Sequence, residues 1–346
     1  MAALKTEKEI ISNWKNNRSK PLVSICLATF NQEKFVENAL KGFLIQETSF
    51  PFEILINDDC SNDTTPLIIK KFETNYPNII KTQYQKTNQM SQGINVFGDI
   101  LFPIAKGKYI AMCEGDDYWI EPKKLQWQSD FLEQNPDYGL VHGDINIFNY
   151  ENKLWEYGVN KNFKNSNLNL SKKDLFHHIV NSKYRIRTST VFFRKNLLEK
   201  CKINYRTINI LLGDTPLWLD FSQATKFKYI EKVLSVYQVS SNSISRPLDK
   251  IQKYRFDLIM LETRVYYLKK YNYEISGKIM SKYNEALLTY KLFNPQYIEK
   301  FKLFEATPFQ RFKLKNISYK SFYVFFYMQW LFSSYIKRII KKISKK

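Results

Sequence analysis

Two kinds of hydrophobic spacing alternate along the first half of the chain. Leu22–Ala28 is a mostly apolar run of strand length that breaks into the polar loop Thr29-Phe30-Asn31. Between Glu33 and Gln46, Phe35, Val36, Ala39, Leu40, Phe43 and Leu44 recur at steps of three and four, which predicts an amphipathic helix. The same alternation continues. Phe52–Ile56 reads as a strand, Thr65–Tyr76 as a helix stopped by Pro77, and Ile79–Gln83 as a third strand. Asn95–Ala105 reads as a helix, Tyr109–Cys113 as a strand, Leu125–Gln134 as a helix ending before Pro136, and Gly139–His142 as a strand.

Farther on, Thr190–Phe193 is strand-like, Leu211–Phe221 is helical, and Ile230–Val239 is a strand with an irregular edge. From Leu248 the pattern changes to long, basic, Tyr-rich helical stretches, Leu248–Lys270, Ser276–Phe293 and Tyr297–Glu305. These shifts predict four parts: an N-terminal helix (Glu7–Trp14) and connector over 1–20, an α/β domain over 21–240, a helical extension over 241–316, and a tail over 317–346.

Strands alternating with helices predict a three-layer α/β domain with a mostly parallel sheet. In such sheets ligands bind beyond the carboxyl ends of the strands. The loops at Thr29–Asn31, Asp58–Asp63 and Glu114–Asp117 follow three of these strands, so all three open on one edge and their acids meet in one crevice. Glu114-Gly115-Asp116-Asp117 packs three carboxylates into four residues, a crowding that a hard divalent ion such as Mg²⁺ or Mn²⁺ relieves. An acidic turn capping the next helix is the alternative. In Asn57-Asp58-Asp59-Cys60-Ser61-Asn62-Asp63-Thr64, Ser61 to Thr64 suit helix caps, and Asp59 suits a base or ribose ligand.

Charge and cysteine content narrow the class. The net charge is +20, yet residues 301–346 alone hold eleven Lys or Arg against one acid, Glu305, so the excess is concentrated in the tail. That distribution argues against a nucleic-acid-binding surface over the acidic crevice, and no helix-turn-helix, zinc-finger or RNP-like motif is present. A nucleotidyltransferase on a similar fold would carry a glycine-rich basic loop after the first strand, where Thr29–Lys34 has a single Lys. Cys26, Cys60, Cys113 and Cys201 form no CxxC pair or zinc spacing. Cys26 and Cys113 read as buried thiols, which together with a polar N-terminus implies a reducing, cytoplasmic setting.

In the tail, Ser321–Ile336 runs 16 residues without a charge, short of the ~20 that cross a bilayer. Ile336, Ile339, Ile340 and Ile343 then form a stripe flanked by Lys337, Arg338, Lys341, Lys342, Lys345 and Lys346. This is the pattern of a helix lying on an anionic membrane surface, with a helix docked on the protein's own core and a true span as alternatives.

Taken in order, Pro21–Asn31, Phe52–Thr64 and Gly107–Trp119 resemble the inverting family 2 glycosyltransferases of GT-A fold, over roughly residues 21–240. The resemblance implies transfer of a sugar from a nucleotide-sugar, a UDP-sugar by expectation, to a glycan or lipid-linked acceptor in surface polysaccharide synthesis. It implies donor-nucleotide contacts at Thr29, Asn31, Asp58, Asp59, Glu114 and Asp116, and a Mn²⁺ or Mg²⁺ ion held at Asp116 and Asp117. Glu114 stands where the family usually has Asp. Gly213-Asp214 falls at the position of the catalytic base, with Gly213 departing from the usual acid, and a helix N-cap is the alternative role for Asp214. Arg185, Arg187 and His142 are further candidates for diphosphate or acceptor contact, with a surface or core role as the alternative for each. The enzyme is expected on the inner face of the cell membrane, with no nucleic-acid partner.

Overall fold

The computed structural model describes residues 4–15, 20–160, 170–201, 214–239 and 249–293. The expected helix at Tyr297–Glu305 and the tail over 317–346 lie outside the described residues. The chain forms two compact units, Met1–Arg246 and Pro247–Lys346.

The first unit is built on one mixed sheet. Its strands are β1 (Val23–Thr29), β2 (Phe52–Asp58), β3 (Ile80–Tyr84), β4 (Tyr109–Glu114), β5 (Tyr118–Trp119), β6 (Tyr138–Asn149), β7 (Trp155–Glu156), β8 (Phe192–Arg194) and β9 (Lys226–Val239). The helices are α1 (Glu7–Ser12), α2 (Val36–Leu44), α3 (Thr65–Asn75), α4 (Phe102–Ile104), α5 (Lys124–Gln134), α6 (Lys172–Val180), α7 (Asn196–Lys200) and α8 (Thr215–Ala224). The strand order is β3-β2-β1-β4-β8-β6-β9-β5, with β7 beside β6. Strands β3, β2, β1 and β4 are parallel throughout, β8 runs antiparallel to both its neighbours, and β6 and β9 pair in parallel. The expected GT-A-type architecture, a parallel-centred sheet between helices, is what the chain adopts.

Alternation along the central strands explains the two covered faces. Val23, Ile25 and Leu27 of β1, with Ile54 and Ile56 of β2 and Tyr109 and Ala111 of β4, join α2, α3 and α5 in one core. Cys26, Leu55, Ile110 and Met112 point the other way and are equally buried. Phe193 of β8 meets Phe102 on one side and Phe221 of α8 on the other, at centroid separations of 5.8 Å and 5.1 Å. Helix α1 joins the first core through Ile10, and is fixed at its start by a reciprocal cap between Thr6 and Glu9.

Two elements depart from expectation. Val96–Leu101 coils as a wide π-helix that tightens only at α4. Pro103 lacks an N–H to donate back, and Asn95 caps the start through Gly98 N–H. Strand β6 is three times the expected length. Its polar Asp144 and Asn146 hide the run in the sequence, because Asp144 turns its carboxylate back onto the backbone N–H groups of Ile145 and Asn160. The β6–β9 register shifts at that point.

The second unit contains α9 (Lys250–Lys270), capped by Asp249, and α10 (Gly277–Phe293). They share an apolar cluster of Leu258, Tyr283 and Tyr290. Among the described residues no helix is long and apolar enough to cross a membrane.

Candidate functional site

The three loops expected to meet do meet. Gly115 N–H donates to Ala28 O at 2.9 Å, and Asp59 N–H donates to Thr29 O at 2.9 Å, so the ends of β1, β2 and β4 are tied edge to edge. A Cβ on Gly115 would stand 2.2 Å from Gln32 Oε1 and 2.7 Å from Thr29 Oγ1. Only glycine lets the β4 loop approach the β1 loop this closely. Asn31 (φ 52°) and Cys60 (φ 67°) both hold left-handed backbone at this edge. Such positions are uncommon for residues with a side chain and concentrate at binding and catalytic loops.

The acids of the β2 loop are consumed by local hydrogen bonds. Ser61 Oγ donates to Asp58 Oδ1 at 2.5 Å and itself accepts the Asn31 N–H at 2.8 Å. Asn62 N–H donates to Asn31 Oδ1 at 2.9 Å, which locks the β1 and β2 loops together. Asp59 is 4% exposed, and its two oxygens accept the N–H groups of Gln89 (2.7 Å) and Met90 (3.1 Å). Asp63 receives the N–H groups of Thr65 and Glu33. Its partial burial would raise its carboxyl, but those donors outweigh burial and hold it below the usual range. Burial pushes Asp58 upward, opposed by the Ser61 donors. Thr29 is buried and donates to Gln32 Oε1 at 2.8 Å. Of the β1 and β2 residues expected at the nucleotide, Asn31 is the exposed one. The carboxylates of Asp58 and Asp59 are hydrogen-bonded within the wall of the crevice.

The β4 loop differs. Glu114 is exposed and Asp116 half-buried. Glu114 is reached by solvent yet flanked by packed protein. Loss of solvation against that packed protein, with Asp116 and Asp214 adding like-charge repulsion, pushes its carboxyl upward. Asp116 is also raised, by burial. The Thr188–Thr190 turn places the start of α8 beside the β4 loop, since Thr188 bonds Asp214 and Ser189 bonds Asp117. Asp117 turns away from it: at 2% exposure it accepts Gln238 N–H at 3.1 Å and also bonds the Ser189 hydroxyl. The expected metal pair is therefore divided. Asp116 is partly exposed, whereas Asp117 is buried and braces the loop against β9.

Asp214 does not cap α8 with its side chain. Its Oδ2 instead accepts the Thr188 hydroxyl at 2.6 Å. The turn Thr188–Thr190 that carries this donor is held by Gln128, whose side-chain amide donates to Thr190 O at 2.8 Å. Gln238 also braces the β4 loop by donating from Nε2 to Asp116 O at 2.6 Å. Nothing in the sequence marked Thr188, Ser189 or Gln238. Thr188 and Ser189 lie in a polar run, Arg187–Thr190, with nothing to single them out, and the partners of Thr188 and Gln238 lie 26 and 122 positions away.

The other candidates separate. His142 is 1% exposed, its Nε2 lies 2.7 Å from the Tyr184 hydroxyl, and burial holds its imidazole down at about 3. It is a core histidine. Arg187 lies with its guanidinium 5.2 Å from the Tyr237 ring, beside Gln238, and Arg185 is exposed. Cys26 and Cys113 are buried free thiols, as expected.

Oxygen donors and crowded like charges suit a hard divalent cation. Among the described residues no three His, Cys, Asp or Glu side chains converge on one point. The donor set fits an ion that takes one or two carboxylates and completes its shell from substrate phosphate, and does not fit an all-protein cage.

The comparisons agree with this architecture. An uncharacterized protein of Mycobacterium tuberculosis is 41% identical over 116 residues, which span 33% of this chain and 32% of the relative. The chain thus matches about a third of the length of that relative. The Escherichia coli UDP-Glc:alpha-D-GlcNAc-diphosphoundecaprenol beta-1,3-glucosyltransferase WfaP is 28% identical over 225 residues, 65% of this chain and 80% of WfaP. Among solved structures, S. aureus TarS 1-349 shares the fold with a TM-score of 0.50 at 15% identity, over 81% of this chain and 75% of that one. The family model described as glycosyl transferase family 2 matches residues 24–200, just over half of the chain and all three loops of the crevice, and the chain belongs to that family.

Proposed function

We propose that this protein is an inverting glycosyltransferase that moves a sugar from a UDP-sugar to a hydroxyl of a glycan or lipid-linked acceptor. The observation that carries this reading is that one turn, Thr188–Thr190, ties the start of α8 to the β4 loop: the Thr188 hydroxyl holds Asp214 and the Ser189 hydroxyl holds Asp117, beside Asp116 and Glu114.

Thr29, Asn31, Asp58 and Asp59 belong to the wall that receives the nucleoside. Asn31 meets it directly, and Asp59 holds the Gln89–Met90 segment in place beside it. Asp116, with Glu114 next to it, would hold a Mn²⁺ or Mg²⁺ ion together with the donor diphosphate. When bound, that ion supplies neutralisation of the charge building on the departing nucleoside diphosphate. Asp117 keeps the loop in position through Gln238. Asp214 accepts the proton of the attacking acceptor hydroxyl, and the Thr188 hydroxyl orients its carboxylate for that step. One displacement from the face opposite the leaving group inverts the anomeric centre and needs no protein nucleophile.

A lipid-linked acceptor is supported by the E. coli relative, whose name specifies a diphosphoundecaprenol-linked acceptor and UDP-Glc. The basic aromatic tail over 317–346 would keep the enzyme at a cytoplasmic membrane surface, where such an acceptor lies. Surface polysaccharide synthesis is the corresponding role. The test is a thermal-shift panel of UDP, GDP and ADP with and without Mn²⁺. A ligand held only by the folded state at ~100 times its dissociation constant adds ~2.7 kcal/mol of stability. Metal-dependent stabilisation by UDP is the expected result, and equal indifference to all three nucleotides sinks the reading.

A further inference from the structure

One exposed feature of the first unit takes no part in the acidic crevice yet is built next to it. After β6 the chain turns through Glu151–Lys153 and returns as β7. Phe148 and Trp155 face each other across this pair, with ring centroids 4.6 Å apart. Tyr157 continues the row, its ring within 8° of parallel to Trp155 at 5.8 Å. Trp155 is 39% and Tyr157 69% exposed. Three aromatic rings held in line at a surface are costly to leave wet unless something covers them.

The row is fixed. The alternate positions Ile145 and Ile147 are buried with Val239. The chain after Tyr157 is pinned by Gly158 N–H donating to Asn146 Oδ1 and Val159 N–H donating to Ile145 O. The hairpin also reaches the crevice by two routes. Phe148 lies beside Gln238 in the β6–β9 ladder, and Gln238 donates to Asp116 O. At the turn, Tyr150 meets the ring of Phe35 at 5.1 Å, and Phe35 N–H donates to the backbone of Gln32, the residue against which Gly115 packs.

The geometry points to Phe148, Trp155 and Tyr157 as an acceptor subsite that stacks the sugar rings of a neutral glycan. An aromatic face is electron-rich, and the C–H face of a pyranose is apolar and weakly positive, so the two pack as a cation or a ring edge does. A rigid row at the rim of the reacting centre presents one sugar after another with little ordering cost. Charge favours this occupant over a lipid surface: the hairpin carries Glu151 and Glu156 against Lys153, whose ammonium sits 3.8 Å from the Tyr150 ring centroid and 5.9 Å from that of Phe148, and an anionic membrane is repelled by that balance. The inference rests on the glycosyltransferase reading above and adds where the acceptor binds and by what chemistry.

The experiment is saturation-transfer NMR on the full chain with maltotriose, cellotriose and chitotriose. It compares the native protein with Trp155→Ala/Tyr157→Ala, Tyr157→Ala alone and Leu154→Ala. Leu154 is 63% exposed in the same turn but offers no ring. At least one trisaccharide should give transfer to its C–H protons. That transfer should fall about tenfold in the double variant, fall less in Tyr157→Ala, and persist in Leu154→Ala. UDP-dependent stabilisation of the same samples reports separately on the donor site. No transfer from any trisaccharide to the native protein, or transfer unchanged in the double variant, overturns the proposal. So does flotation with phosphatidylcholine/phosphatidylglycerol vesicles that Leu154→Ala weakens as much as the ring variants do, since apolar area alone would then explain the patch.

Discussion

The loops after β2 and β4 look alike in sequence and differ in physics. Each places acids at the carboxyl edge of the sheet. In Asp58–Asp63 the carboxylates are met by the Ser61 hydroxyl and by backbone N–H groups of Gln89, Met90, Thr65 and Glu33. In Glu114–Asp117, Asp117 is met by Gln238 N–H and the Ser189 hydroxyl, while loss of solvation and the like charges of Asp116 and Asp214 push Glu114 upward. A buried carboxylate whose oxygens are both taken by backbone N–H groups is part of the scaffold. A carboxylate short of solvation and near like charges is costly, and that cost is repaid where a cation or a transferring proton enters.

The largest effect expected from this contrast is at Asp116. Asp116→Asn should cost ~10²–10³-fold in turnover, the scale of losing preorganised charge stabilisation, and should abolish metal-dependent UDP binding while the melting temperature holds. Metal-dependent binding that survives the substitution would move the cation elsewhere. Next, Asp214→Asn should lower kcat by ~10²-fold with donor binding retained, as expected for a general base. A variant that loses donor binding but turns over normally would reassign Asp214 to the scaffold.

On the other loop the sign of the outcome changes from rate to stability. Asp59→Ala leaves two N–H groups without their acceptor and should destabilise the fold by ~1–3 kcal/mol in urea titration. If stability is untouched and only nucleotide binding falls, the two loops are equivalent and the contrast is broken. The smallest effect tests the same rule on a buried base. His142 is held neutral, its value lowered by burial from 6.5 to about 3. Its contribution is therefore fully present above pH 6.5 and declines as pH falls toward 3. Over the first unit below pH 6.5 the loss should be about 1 kcal/mol, and His142→Gln should flatten that slope.

Much of the fold was legible because its signals are local. Continuous apolar runs and three-four spacing located β1, β2, β4, α2, α3 and α5 to within a few residues, since the central strands are buried on both faces and the helices on one. Strand β6 reads short in the sequence because Asp144 and Asn146 are loop-favouring residues, whereas in the fold they accept backbone N–H groups of Ile145 and Asn160 and of Gly158. The crevice was legible for the same reason as the strands: a parallel sheet sends every strand's carboxyl end to one edge, so the β1, β2 and β4 loops had to meet.

What the sequence determined by itself is thus the parallel sheet, its edge and the acids along it. The tertiary structure alone decided which acids are satisfied. Asp116 and Asp117 are adjacent and chemically identical, yet Gln238, more than a hundred positions away, takes Asp117 into the wall and leaves Asp116 partly exposed. Asp214, at the start of α8, likewise has its carboxylate placed by Thr188 from 26 positions away rather than by capping the helix. Local pattern fixes where a chain bends and what it buries, because those depend on neighbours three or four residues away. Hydrogen-bond satisfaction depends on partners that meet only after the chain has closed, so a carboxylate's role is set by the fold.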